Sequence, residues 1–176
     1  MAWIKEVSRE EDELLKSIYE SAEKRTGEKT ANVLKVHSQD PKTLEIHMNL
    51  YERLMFEEGE LSRKEREMIG VVVSKSNECS YCVTHHGQSL AHVTENIELM
   101  KKISEDYHLA ELSDKELEIC KYAEKLTKYP YRMEEEDIIA LRSFNLSDLA
   151  IFQINQICAY FNYVNRIVFG LGVELE

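Results

Sequence analysis

Residues 67–90 read Glu-Met-Ile-Gly-Val-Val-Val-Ser-Lys-Ser-Asn-Glu-Cys-Ser-Tyr-Cys-Val-Thr-His-His-Gly-Gln-Ser-Leu, and the rest of the chain is organised around them. Cys79 and Cys82 form a C-x-x-C, His86 follows Cys82 after three residues, and eleven residues separate Glu67 from Cys79. A helix over 79–90 places Cys79, Cys82 and His86 at i, i+3 and i+7. At about 100° per residue these side chains fall within an arc of roughly 60°. Two sulfurs and an imidazole then share one stripe.

Immediately upstream, Ser62-Arg63-Lys64-Glu65 is a capping box that starts a helix carrying Met68, Ile69, Val71, Val72 and Val73. The valine run alone would suit a strand. The cap and the length favour a helix buried on most sides. Ser76-Asn77 ends it, and the C-x-x-C opens the next helix, which is expected to run to about His92.

Further out the same logic gives helices throughout. Ser8 with Glu11 is a capping box for a first helix, with Leu14, Leu15, Ile18 and Ala22 at helical spacing, that ends at Thr26-Gly27. A short helix from about Ala31 to His37 follows. Asp40 then caps a helix that begins at Pro41 and buries Leu44, Met48, Tyr51 and Met55. Thr94 is expected to cap a helix from Glu95 to Ile103. Ser113 and Glu116 form a third capping box, for a helix turning Leu117, Cys120, Ala123 and Leu126 inward. Met133 to Ser143 gives another helix, and Ser147 caps the last, from Asp148 to Phe169 with Gly170 as its end. No charged side chain lies between Asp148 and Arg166, so this helix is expected to be covered on both sides, by the core or by a second subunit.

Composition agrees with an all-α protein. Of 176 residues 43% are hydrophobic, with only six Gly and two Pro, enough to bury a sizeable core in a single domain spanning 1–176. The net charge of -11 argues against a nucleic-acid partner, which needs clustered Lys and Arg. The sequence contains no signal-like stretch at its start and no run of membrane-spanning length, so a soluble, cytoplasmic protein with no membrane partner is expected. In such a setting the close cysteine pair reads as redox or metal chemistry, and Cys120 and Cys158 as small core residues. His37, His47 and His108 show no partner pattern.

The spacing has chemical consequences. Only the thiolate of a cysteine attacks, and a thiol with a pKa of about 8.5 is mostly protonated at neutral pH. A helix N-terminus sets unpaired amides and the positive end of the dipole beside the sulfurs. His86 can relay a proton, and Glu67, arriving from the preceding helix, can orient it. Against this, Glu67 can equally be a solvated side chain on an outer face. A dithiol so placed could reduce a hydroperoxide through a sulfenic acid and then a disulfide, or simply exchange electrons with other thiols. A metal reading competes, because Cys79, Cys82 and His85 or His86 supply three zinc ligands, with His92 as a possible fourth.

The pattern Glu67, eleven residues, Cys79-Ser80-Tyr81-Cys82, three residues, His86 resembles the active-site motif of alkylhydroperoxidase D, within the carboxymuconolactone decarboxylase-like superfamily. Leu61 to Glu67, Asn165-Arg166 and Gly170-Leu171-Gly172-Val173 make it similar to the branch called uncharacterised peroxidase-related proteins. The resemblance implies an alkylhydroperoxidase D-like helical bundle that assembles as a homo-oligomer, a trimer or a hexamer. It implies Cys79 and Cys82 as the redox pair, His86 and Glu67 as the proton relay, a hydroperoxide substrate and a dithiol or thiol-protein reductant. No bound organic cofactor is expected, no residue is assigned as a metal ligand, and a zinc-binding module stays an alternative. Where that enzyme has a histidine between its cysteines this chain has Tyr81, a poor base near neutral pH, so the relay is expected to be weakened or rerouted through His85. Lactone decarboxylation and a non-catalytic oligomeric module are the other functions the resemblance leaves open.

Overall fold

The computed structural model describes residues 2–176, and among these the fold is all-helical with no β-strand. Among the described residues no helix is long and apolar enough to cross a membrane. Two compact units are present, one comprising the chain up to Arg53 with Arg166–Glu176, the other Leu54–Asn165.

The first unit holds α1 (Glu13–Thr26), α2 (Asn32–Lys35) and most of α3 (Pro41–Met55). The Ser8 capping box closes a single 3-10 turn, Arg9–Glu11, and Asp12 is the cap of α1, accepting from Leu15 N at 2.9 Å. Leu15, Tyr19 and Ala22 recur every three or four residues, and they pack with Leu34, Leu44 and Met48 into one apolar cluster. The expected helix from Ala31 to His37 is instead split into α2 and a 3-10 segment, Val36–Gln39.

The second unit holds α4 (Arg63–Ser76), α5 (Ser80–Thr94), α6 (Ile97–Asp106), α7 (Asp114–Lys128), α8 (Glu135–Arg142) and α9 (Asp148–Leu171) as far as Asn165. Every residue of α4 from Glu65 to Ser74 is buried. This is why its apolar residues show no single stripe and the valine run tolerates a helix. Packing on all sides overrides the modest helix propensity of valine.

The N-termini of α4 and α7 are cross-braced. Each has a capping box of the form Ser-x-Lys-Glu, and in each the glutamate closes its own box while accepting the other helix's lysine. Lys115 Nζ meets Glu65 at 2.5 Å, and Lys64 Nζ meets Glu116 at 2.6 Å. Two positive helix ends in proximity repel, and the paired glutamates offset that repulsion. In line with this, the lysine pairs and the caps hold both carboxyls below their usual range although burial works the other way.

The link from α4 to α5 sets the site. Asn77 caps α4, Glu78 adopts a left-handed conformation at φ 61°, and two bonds close the motif, Glu78 N to Lys75 O at 2.9 Å and Cys79 N to Ser74 O at 2.8 Å. This is a Schellman ending, with the left-handed position filled by glutamate rather than glycine. Cys79 is thus both the last tie of α4 and the N-cap of α5, with φ -82° and ψ 88°. The helix expected from residue 79 therefore starts at Ser80.

Three other expected boundaries move. α5 continues through Thr94 to a left-handed Glu95, and Asn96, not Thr94, caps the next helix, since its side chain accepts from Leu99 N at 2.9 Å. The helix expected from Met133 to Ser143 is α8, which starts two residues later behind a capping box built from Glu134 and Asp137 and follows a 3-10 turn at Pro130–Arg132. The last helix ends not at Gly170 but past Leu171, where Gly172 takes φ 63°. A Cβ there would also collide with the Trp3 indole, which is why glycine is needed. Within the second unit α9 is covered on one side only. Ile151, Ile154, Ile157, Cys158 and Phe161 are buried, while Leu149, Phe152 and Tyr163 stay exposed.

Glu78→Gly is expected to stabilise the fold by about 0.5–1 kcal/mol. The left-handed strain of an L-residue, roughly 1–2 kcal/mol, outweighs the extra backbone freedom glycine brings to the unfolded chain. Urea unfolding of the two proteins checks this, through a higher midpoint at unchanged slope.

Candidate active site

α4 and α5 pack antiparallel along one another, so successive residues along one helix meet residues in reverse order along the other. Glu67 and Ser74 lie seven residues apart on α4. On α5 His86 faces the first and Cys82 the second.

Glu67 is 0% exposed, the opposite of a solvated outer-face residue. A buried carboxylate is costly unless both oxygens are met. One is met by Arg63, an ion pair one turn back on α4, and the other lies 2.7 Å from His86 Nδ1. The imidazole is in turn held edge-on by Phe161, with ring centroids 4.5 Å apart. Phe161 reaches that position because residue 70 is glycine. A Cβ at Gly70 would meet the Phe161 ring at 2.8 Å.

Arg63 is fixed as firmly as its partner. It donates from Nη1 to Met55 O at 2.8 Å and stacks over the Phe56 ring, 3.8 Å from its centroid. It also lines a cleft of about 340 Å³ bounded by Met55, Phe56, Glu57, Gly59, Leu61 and Arg66. Arg63 thus joins the Glu67–His86 pair to an open cleft.

Cys79 and Cys82 are both buried, both free thiols, and joined by a hydrogen bond. The Cys79 thiol is lowered to about 7, chiefly because Cys82 donates its S–H, aided by the Cys82 backbone amide, while burial opposes the shift. The Cys82 thiol is pushed up, because losing the proton it gives to Cys79 would set a second charge beside the first. Hydrogen bonds from Asn165 and Ser74 work the other way. The pair therefore carries one shared proton and one negative charge close to neutral pH, the state a nucleophilic dithiol needs.

Of the residues singled out from sequence, Cys79, Cys82, His86 and Glu67 lie along one seam. Tyr81 and His85 form a separate ring pair with centroids 4.5 Å apart, and it is His86, not His85, that meets Glu67. His92, the possible fourth zinc ligand, is exposed, and no group of three or more His, Cys, Asp or Glu among the described residues is arranged to hold a metal ion. Cys120 and Cys158 are fully buried, and burial pushes both thiols up, Cys120 to about 12. His37 and His47 stack on one another at 4.6 Å, and His108 pairs with Asp106 at 2.8 Å. Sequence reasoning missed Arg63, Ser74, Phe161 and Asn165. The first two carried a signal, positions i-4 and i+7 from Glu67 on its helix. Phe161 carried none, and Asn165 entered only through the Asn165-Arg166 pair of the resemblance, with no role attached.

The model of the carboxymuconolactone decarboxylase family matches residues 41–125, which include the whole seam from Arg63 to His86. A peroxidase-related protein from Silicibacter sp. TM1040, itself uncharacterised, superposes with a TM-score of 0.89 over 94% of this chain and 86% of its own, at 29% identity. Over this central segment and in its fold the chain is similar to the alkylhydroperoxidase D/carboxymuconolactone decarboxylase-like superfamily. Two further structures show how widely this superfamily fold is shared. An alkylhydroperoxidase AhpD core protein, peroxidase-related and uncharacterised, from Ralstonia eutropha JMP134 gives a TM-score of 0.93 at 23% identity, covering 99% of this chain and 92% of its own. The debrominase Bmp8, in complex with 2,3,4-tribromopyrrole, gives 0.81 at 16% identity over 98% and 91%. No curated protein matches the sequence significantly.

The shared proton gives a direct test. Thiolate absorbance of the reduced protein is expected to appear with a midpoint near the Cys79 value of about 7. Cys82→Ala should move that midpoint upward, because the donor that lowers the Cys79 thiol is removed and burial remains.

Proposed function

We propose that this protein is a member of that superfamily and a thiol-dependent peroxidase or disulfide oxidoreductase that reduces hydroperoxides through Cys79 and Cys82, with His86 and Glu67 as its proton relay. The supporting observation is that the buried Glu67 carboxylate meets His86 on the helix that the cysteine pair opens. A carboxylate placed there orients the imidazole and stabilises it when it carries a proton.

The ionised sulfur of the pair attacks the terminal oxygen of the hydroperoxide. The O–O bond breaks, the departing oxygen takes a proton delivered through His86 and leaves as alcohol or water, and the sulfur becomes a sulfenic acid. The second thiol attacks that sulfur and expels water, leaving a Cys79–Cys82 disulfide. A dithiol or thiol protein returns two electrons by exchange and restores the pair. Arg63 holds Glu67 in place throughout. Tyr81 lies apart from this route, beside His85. The reading calls for no bound cofactor. It includes assembly as a trimer or hexamer, which light scattering would measure.

Lactone decarboxylation is the weaker reading, because that chemistry has no use for a vicinal dithiol with one shared proton. A fold likeness to a debrominase bears on the choice of substrates to test, so brominated pyrroles belong beside peroxides in an assay panel.

Cys79→Ser and Cys82→Ser are each expected to abolish peroxide turnover with dithiol reductants. Glu67→Gln should lower kcat by roughly a hundredfold, within the range for loss of general acid–base assistance. Peroxide turnover that survives in both cysteine variants would reject this function.

A further inference from the structure

Cys82 lies in a cage of neutral donors that the relay does not use. Ser74 comes from the last turn of α4 and Asn165 from α9, and both are 0% exposed. Both hydrogen-bond to Cys82, and Asn165 Nδ2 also donates to Ser74 Oγ at 3.2 Å. Ser74 serves the other cysteine too, since its carbonyl accepts from Cys79 N at 2.8 Å.

The amide of Asn165 is held one way round. Asn77 Nδ2 donates to Asn165 Oδ1 at 2.9 Å and to Asn162 Oδ1 at 3.0 Å. Asn162 is itself anchored, through Nδ2 to Thr127 Oγ1 and to Cys158 O, each at 3.0 Å. With its oxygen so engaged, Asn165 turns its N–H groups toward Ser74 and the sulfur. The Ser74 hydroxyl, accepting from Asn165, keeps its own proton to give. A sulfur that becomes charged where water is excluded loses its hydration, and fixed donors of this kind replace it.

We infer that Asn165 and Ser74, by donating to the Cys82 sulfur, strengthen the S–H hydrogen bond that Cys82 gives to the ionised Cys79, favouring the reduced pair over the disulfide and so tuning how readily it gives up electrons. The inference rests on the redox reading of the pair for its purpose. When the Cys79–Cys82 disulfide is reduced by glutathione it takes up two electrons and two protons while two glutathione thiols become one glutathione disulfide. A disulfide sulfur is a poor acceptor, so the donor bonds count mainly on the reduced side. Their removal shifts the balance toward the protein disulfide.

Two measurements test this on the full chain. In glutathione redox buffers, Asn165→Leu is expected to move the equilibrium toward the disulfide by roughly tenfold, and Ser74→Ala by about threefold, within the range for loss of a single hydrogen bond. In the Cys79→Ser background, where Cys82 is the remaining thiol of the pair, the same substitutions should raise the pH at which its thiolate absorbance appears. Burial pushes the Cys120 and Cys158 thiols up as well, so both are replaced by alanine in this background. Should Asn165→Leu fail to fold, Ser74→Ala carries the same expectation. Unchanged equilibria and unchanged Cys82 titrations in these variants would overturn the donor assignment. A wild-type chain that formed no Cys79–Cys82 disulfide would remove the redox reading instead, and the Cys82 titration would still decide the donors.

Discussion

A carboxylate sealed from water is tolerable only when charged or donating partners meet both of its oxygens, and the placement of Glu67 depends on that condition. Arg63 answers one oxygen from the same helix and His86 the other from the next. Either bond alone would leave half of a buried charge uncompensated, at a cost of several kcal/mol. The two together fix where α5 sits against α4 at that level. Everything else along the seam follows from the register this sets, because antiparallel helices that match Glu67 to His86 must also match Ser74 to the cysteine pair.

The surroundings hold that register from several sides. Gly70 lets Phe161 approach closely enough to support the imidazole edge-on. The Schellman turn brings Cys79 directly to the head of α5, so its sulfur receives the Cys82 amide as well as the Cys82 thiol. At the opposite end of α4, the paired capping boxes lock its start against α7. Local capping chemistry and long-range pairing use the same glutamates, which ties helix initiation to tertiary packing.

Likeness of fold and likeness of chemistry are separate matters. Likeness in shape reaches a debrominase as well as peroxidase-related proteins. What bears on reactivity is the set of groups touching the sulfurs, and here these are an S–H donor, a backbone amide, a serine hydroxyl and an asparagine amide. Such neutral donors stabilise a thiolate without neutralising it, leaving the charge available for attack. Fold alone does not dictate that choice.

Much of this was legible along the chain. Capping boxes at Ser62 and Ser113, the cysteine stripe and its phase with His86 are local patterns, written in spacings of three, four and seven, and the helices they announce are present. The family resemblance, resting on Glu67 through His86, was likewise contained in one contiguous stretch. The boundaries at Thr94 and Gly170 misled because cap residue types recur near a helix end and only backbone geometry selects among them. The burial of Glu67, its capture by Arg63, and the convergence of Asn165 and Ser74 on Cys82 belong to the tertiary structure. Each joins positions whose neighbourhood arises from how helices pack, and a helix free of charge, such as α9, gives no periodic clue to which of its amides will meet a sulfur. Sequence spacing settled which side chains share a face, and packing settled what that face meets.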